Sequence, residues 1–180
     1  AGDHARHHLL SPEELDLLIA ESRDGGLLEP EEQLRLRRAL HLNRRTAADL
    51  MVPRDRLTAI DLASAWNDVL QTAVASPFSR LPVFRGTRAT IVGVLRVKDL
   101  VERYASSGPV PIETLMRPVI QVDASLAADA VLATLRERRA HTAVVVDGRG
   151  DALGLVTIQD VLSELLGLQD RSPSPARGEP

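Results

Sequence analysis

A hydroxyl and a carboxylate three residues apart, Thr157 and Asp160, close an apolar run and open a helical pattern. On a turn from a buried strand into a helix, such a pair suits nucleotide recognition. Thr157 can donate to a phosphate or ribose oxygen, and Asp160 can accept from both ribose hydroxyls. Free N–H groups at the helix start add positive potential for a phosphate. The same residues equally suit a local role, with Thr157 capping the helix and Asp160 stabilising its first turn. Other candidates carry less. His4, His7 and His8 precede any periodic pattern and read as a solvated tail. His141 has no His, Asp or Glu at ligand spacing. Glu13-Glu14 and Glu31-Glu32 fall in helix first turns, where the dipole accounts for them. Arg149-Gly150-Asp151 resembles an adhesion tripeptide but falls in a predicted hairpin turn. G-x-S-x-G, H-E-x-x-H and phosphate-loop patterns are missing from the sequence, so an enzyme is not expected.

These residues are positioned by a repeat. Met51-Val52-Pro53 recurs as Met116-Arg117-Pro118, each after Leu. Ile91-Val92-Gly93-Val94-Leu95 recurs as Ala152-Leu153-Gly154-Leu155-Val156, and Asp99-Leu100-Val101 as Asp160-Val161-Leu162. Each copy predicts an extended start, an amphipathic helix, a hairpin of two strands and a final helix. The unit is β-α-β-β-α, twice, in an α/β (α+β) fold whose halves share a pseudo-twofold axis. Ser64 and Ser125 are placed to cap the first helices. Trp66, Val69, Leu70, Ala73 and Val74 form one apolar face, and Leu126, Val131, Leu132 and Leu135 the other. The hairpin strands are residues 81–84 with 91–95 and 142–146 with 153–156, and the last helix stops at Gly167. Aligned this way, Arg96 stands where the second copy has Thr157, and His141 aligns with Leu81. Arg96 can reach a phosphate but fills the ribose space, so the first copy reads as a degenerate site.

Before the repeats lie two short helices. One starts at Ser11-Pro12 with Glu14 completing a capping box, and the other runs from Pro30 to about Asn43. The organisation expected is a tail over 1–8, a helical linker over 9–49, repeats over 50–110 and 111–168, and a Ser/Pro-rich tail over 169–180. The composition narrows the function. Lys+Arg 22 against Asp+Glu 25 gives a net charge of −3, and aromatics make up 2% of the chain. No basic field or stacking platform for nucleic acid is present, so no nucleic-acid partner is expected. With no Cys there are no disulfides or thiolate metal sites. No apolar run reaches the ~18 residues of a membrane span.

The tandem unit, entered by Met51-Val52-Pro53-Arg54, resembles a pair of cystathionine-β-synthase (CBS) domains, the Bateman module. Ser79-Arg80-Leu81-Pro82-Val83, Gly93-Val94-Leu95 with Lys98-Asp99-Leu100, and Gly154-Leu155-Val156-Thr157 with Asp160 resemble the CorC/HlyC-like proteins, relatives of the cyclin-M transporters. The Gly26 to Glu32 run resembles that family's segment between membrane and CBS pair. The resemblance implies a cytosolic regulatory module binding an adenine nucleotide, ATP with magnesium above others. It implies a divalent-cation transporter, of the magnesium and cobalt efflux type, whose membrane spans precede Ala1. By the same resemblance Ser79 and Arg80 face the polyphosphate near Thr157, with Val52 and Pro82 beside the adenine. It further implies a homodimer, for which Leu100, Val101, Val161, Leu165 and Leu166 lie on candidate helices. A nucleotide-free dimerisation scaffold is the alternative. Asp147-Gly148-Arg149-Gly150, Gln159 and Ser163 depart from the family's more acidic pattern.

Overall fold

The computed structural model describes residues 11–168; the tails expected over 1–8 and 169–180, with His4, His7 and His8, lie outside the described residues. Helix α1 spans Pro12–Asp24. Ser11 caps it as expected: its Oγ accepts from the Glu14 N–H at 3.2 Å, and the Glu14 carboxylate accepts from the Ser11 N–H at 2.7 Å. Helix α2 spans Pro30–Leu40 and gives way to a 3-10 turn at Leu42–Arg44, so it ends earlier than the charge pattern suggests. Leu34 and Leu36 remain 48% and 44% exposed, and the buried residue of α2 is Gln33. A polar clasp joins the two helices: Asp16 holds His41 at 2.7 Å and Arg37 at 3.4 Å.

A short helix α3 (Ala47–Leu50) leads into strand β1 (Val52–Pro53). Repeat one then runs β2 (Ile60–Asp61), α4 (Trp66–Ala75), β3 (Arg80–Arg85), β4 (Thr87–Arg96) and α5 (Val97–Ser107). Repeat two runs β5 (Ile120–Asp123), α6 (Ala128–Glu137), β6 (Thr142–Val146), β7 (Ala152–Thr157) and α7 (Ile158–Leu166). The β-α-β-β-α order therefore holds in both copies. One sheet is ordered β2-β3-β4 and the other β1-β7-β6-β5. In each, the first strand of the repeat pairs parallel with the second, and the hairpin is antiparallel.

The lead-in segments cross over. Val52 and Pro53 pair with Leu155 and Gly154 of repeat two, while Arg117 pairs with Val94 of repeat one. The two glycines explain the crossing. A Cβ on Gly93 would meet Met116 Cγ and the Arg117 carbonyl at 3.0 Å, and one on Gly154 would overlap the Val52 carbonyl oxygen. Each Met-x-Pro therefore lies against the glycine of the opposite repeat. Exchanged edges make the repeats mutually dependent.

Alternation along the strands sorts the core. Leu81, Val83 and Leu95 face helices α4 and α5 in one cluster, and Ala143, Val145 and Val156 face α6 and α7 in another. The opposite sheet faces meet through Val144, Ala152 and Leu155 against Leu57, Ile91 and Val119.

Three expectations are corrected. Ser64 and Ser125 do not cap helices; Ala65 and Ala127 take those positions. An Asp organises each turn instead, three residues before Ser64 and two before Ser125. Asp61 accepts from the Ala63 N–H at 3.0 Å, and Asp123 accepts both the N–H and the hydroxyl of Ser125. Those bonds hold the Asp123 carboxyl below its usual range, the Ser125 hydroxyl having the largest effect. Val74 leaves the apolar face and is 70% exposed, because α4 buries only Val69 and Ala73. Leu100 and Val161 cannot belong to a dimer surface, since both are fully buried within their own repeats. Val101 and Leu166 remain exposed on the same helices.

Candidate functional site

Strand β7 ends at Thr157, which becomes the N-cap of α7 with an extended backbone. A β-branched residue is at home on both sides of that junction. The two roles read from the sequence meet here. Thr157 donates its N–H and its hydroxyl to Asp160 Oδ2, both at 2.7 Å, and its Oγ1 accepts from the Asp160 N–H at 3.2 Å. The local capping role is thus realised in the chain alone. Both donations use Oδ2, so Oδ1 is the acceptor that remains for a ligand hydroxyl. Burial pushes the Asp160 carboxyl above its usual range, opposed by the bonds from Thr157.

Val52 joins this turn through the crossing of β1, opposite Leu155 and two residues short of Thr157 along β7. Ser79, Arg80 and Pro82 stand on the other sheet. Arg80 pairs with Arg96 and Pro82 with Val94, and the Ser79 carbonyl accepts the Val97 N–H at 3.0 Å. Of the six predicted residues, three therefore gather at the α7 start and three at the α5 start. Arg80, Pro82 and Arg96 project from the sheet face opposite the one that packs on α4 and α5.

The ladders also correct an alignment. Leu81 pairs with Leu95 as Ala143 pairs with Val156. His141 is thus the counterpart of Ser79, not of Leu81, and its carbonyl accepts the Ile158 N–H at 3.2 Å just as Ser79 serves Val97. Repeat one carries one more residue between its paired strands than repeat two, so only the ladders align the first strands. Arg117 is the residue that sequence reasoning missed. It donates from Nη2 to Asp99 Oδ2 at 3.0 Å, and Arg96 lies 3.6 Å from the same carboxylate. The repeat alone was enough to find it, since Arg117 occupies the place of Val52.

A cleft of about 90 Å3 lies between the repeats, lined by Thr90, Ile91, Gln121, Val144, Asp151 and Ala152. It adjoins the start of β7, at the far end from Thr157, and is small beside the ~300–1,000 Å3 of ordinary ligand sites. Arg149-Gly150-Asp151 forms the β6–β7 turn, tied by N–H bonds from Arg149 and Asp151 to the Asp147 carboxylate. Among the described residues no group of three or more His, Asp or Glu could hold a metal.

Comparison with known proteins agrees with this architecture. The CBS-domain family model matches residues 112–167, the second repeat. The magnesium and cobalt efflux protein CorC of Pasteurella multocida is 31% identical over 88% of this chain and 53% of its own length. The chain spans little more than a third of the first curated relatives, 37% of one and 35% of another. Among solved structures, the CBS domain of the bacterial CNNM/CorC family Mg2+ transporter superposes with a TM-score of 0.82 at 33% identity, covering 88% of this chain and 98% of that one. The same domain in complex with ATP gives 0.72 at 32% identity, covering 77% and 99%. With two exchanged β-α-β-β-α repeats and this match over almost all of a solved relative, the chain belongs to the CBS-domain modules of the CNNM/CorC family.

Proposed function

We propose that this chain is the regulatory CBS pair of a divalent-cation transporter of the magnesium and cobalt efflux type, and that it binds an adenine nucleotide, Mg-ATP above others. The observation that carries the reading is the Thr157–Asp160 pair, half-buried at the strand-to-helix junction with Val52 alongside and Asp160 Oδ1 still to be used. In this reading Asp160 accepts the ribose hydroxyls, Thr157 and the α7 start face the phosphates, and Val52 lies beside the base. Ser79, Arg80 and Pro82 contribute from the opposing repeat. The ATP complex of a relative 32% identical supports the ligand class. Ligand binding regulates only if it prefers one arrangement of the two repeats, and a site drawing on both repeats supplies contacts through which it can do so. No helix among the described residues is long and apolar enough to cross a membrane, so the spans would belong to the remainder of the transporter. The site is built to bind, and we assign it no reaction.

A thermal-shift panel of ATP, ADP, AMP and S-adenosylmethionine, with and without magnesium, tests the proposal. A rise in melting temperature with ATP, larger with magnesium, is expected. No shift with any adenine compound would favour the dimerisation scaffold, for which the closed Thr157–Asp160 capping box is the supporting observation.

A further inference from the structure

The lead-in of repeat two begins a ladder with β4 that does not continue. Arg117 donates its N–H to the Val94 carbonyl at 2.9 Å and accepts the Val94 N–H at 3.0 Å. Continued antiparallel, that register would set Val119 opposite Val92 and Gln121 opposite Thr90. Among the described residues the pairing stops at Val94 and Arg117. On the β4 side, Arg88, Ala89 and Thr90 bulge out between the pairs Phe84–Ile91 and Arg85–Thr87. The two segments diverge, and the cleft of about 90 Å3 lies in their fork. Thr90 lines it from one repeat, Gln121 and Asp151 from the other.

The pseudo-twofold counterpart of this fork is closed by arginine. The ladders make Ala59 the counterpart of Gln121, and the repeat makes Ile91 that of Ala152 and Arg54 that of Val119. Arg54 donates from Nη1 to the Ala152 carbonyl at 3.0 Å. Arg88 donates from its Nη1 to the Leu57 and Arg54 carbonyls at 2.7 and 3.1 Å. These two side chains, with Leu57, Ala59, Phe84 and Ile91, leave no comparable space. In the open fork Val119 stands where Arg54 does and brings no donor.

The lining of the open fork is correspondingly rich in acceptors. The Asp151 N–H is taken by Asp147, but its carboxylate has no ion pair among the described residues. The Gln121 amide oxygen and the Thr90 hydroxyl add two more acceptors, and none of the lining residues is a cation. The volume is too small for a nucleotide but admits a group of a few heavy atoms. A planar guanidinium offers five donors in a fixed fork and matches a carboxylate. A metal ion would find one carboxylate only.

We propose that this cleft is a binding site for a small guanidinium-class cation, held by Asp151, Gln121 and Thr90. The bound cation does in one fork what Arg54 and Arg88 do in the other. It bridges β4 of repeat one to β5 and the β6–β7 turn of repeat two, at the end of the strands opposite Thr157. The inference rests on the ladder register and the cleft, and it stands or falls separately from nucleotide binding.

Titration of methylguanidinium chloride into the isotopically labelled full chain tests it, read by amide chemical shifts against sodium chloride at equal ionic strength. Saturable shifts at Thr90, Gln121 and Asp151 are expected, with a dissociation constant in the millimolar range, far below denaturing concentrations. Asp151→Asn weakens binding at least about tenfold. Val119→Arg installs the missing guanidinium and abolishes it. Melting curves establish that each variant is folded; if Val119→Arg is not, Gln121→Ala takes its place and weakens binding. Shifts that rise without saturation, or equal affinity in folded Asp151→Asn, overturn the proposal. So do saturable shifts centred on the α7 start, which would put the cation at the other turn. Methylammonium or magnesium binding the same amides as tightly would show a site that reads charge alone, and would overturn the assigned class.

Discussion

Replacing Gly154 with Ala puts the exchange of lead-in strands to the test. A methyl group there overlaps the Val52 carbonyl oxygen and comes within 3.0 Å of Met51 Sδ and of the Val52 carbonyl carbon. The methionine thioether can swing aside; the backbone of β1 cannot move without leaving β7. Overpacking in a close-packed site costs about 1–3 kcal/mol. Losing the short β1–β7 pairing adds about 1 kcal/mol for each backbone bond broken. The expected destabilisation is therefore about 2–5 kcal/mol, or roughly 4–20 °C in melting temperature for a chain of this length. Gly93→Ala should cost less, about 1–3 kcal/mol, because two of its three nearest atoms belong to the mobile Met116 side chain. Urea denaturation followed by circular dichroism measures both. A Gly154→Ala protein as stable as wild type would refute the crossing, since no positive φ at that glycine offers another reason for a loss.

Other outcomes follow from the same contacts. Truncation after residue 110 removes β7, the partner of β1, and the apolar surface that covers Leu57 and Ile91, so light scattering should report an aggregated or unfolded product. Asp160 titrates above its usual 3.8 because burial penalises its charge. Its proton is held more tightly folded than unfolded, so its contribution is fully present below the unfolded value and is lost as pH rises through the raised one. Asp160→Asn should flatten that limb of the stability–pH profile, measured by urea melts between acid and neutral pH. Thr157→Ala removes the cap of α7 and should cost about 1 kcal/mol in the absence of ligand. A dimer formed through Val101 and Leu166 should weaken when both become charged, read as a fall in mass by light scattering at micromolar concentration.

The repeat made the architecture legible. Gly93 and Gly154, Asp99 and Asp160, and the two Met-x-Pro segments mark equivalent places in the two copies, the glycines on the last strands and the Asp residues in the helices that follow. Spacing within a copy, however, carries no record of which sheet an extended segment joins. The crossing of β1 onto β7 was for that reason not read, although a glycine facing each Met-x-Pro is the trace it leaves. The helix caps failed for a related reason. Asp61 and Asp123 accept from the N–H groups of Ala63 and Ser125 and so fix the turns ahead of the helices, leaving Ala65 and Ala127 at the cap positions. At the candidate site the residue types at Thr157 and Asp160 were sufficient to find the turn. The split of Ser79, Arg80 and Pro82 onto the opposite sheet follows from the hairpin register, and His141 needed that register to be placed at all.

The most direct test of the account is isothermal calorimetry of Mg-ATP against wild type, Asp160→Ala, Thr157→Ala and Asp99→Ala. A hydrogen bond to a charged group is worth about 1.5–3 kcal/mol, and 1.4 kcal/mol is a decade in affinity. Asp160→Ala should therefore weaken binding at least about tenfold, Thr157→Ala should weaken it too, and Asp99→Ala should change it little, because Arg96 and Arg117 already occupy that carboxylate. Loss of binding in Asp99→Ala with retention in Asp160→Ala would contradict the assignment, and absence of binding by wild type would contradict the nucleotide-sensing function itself.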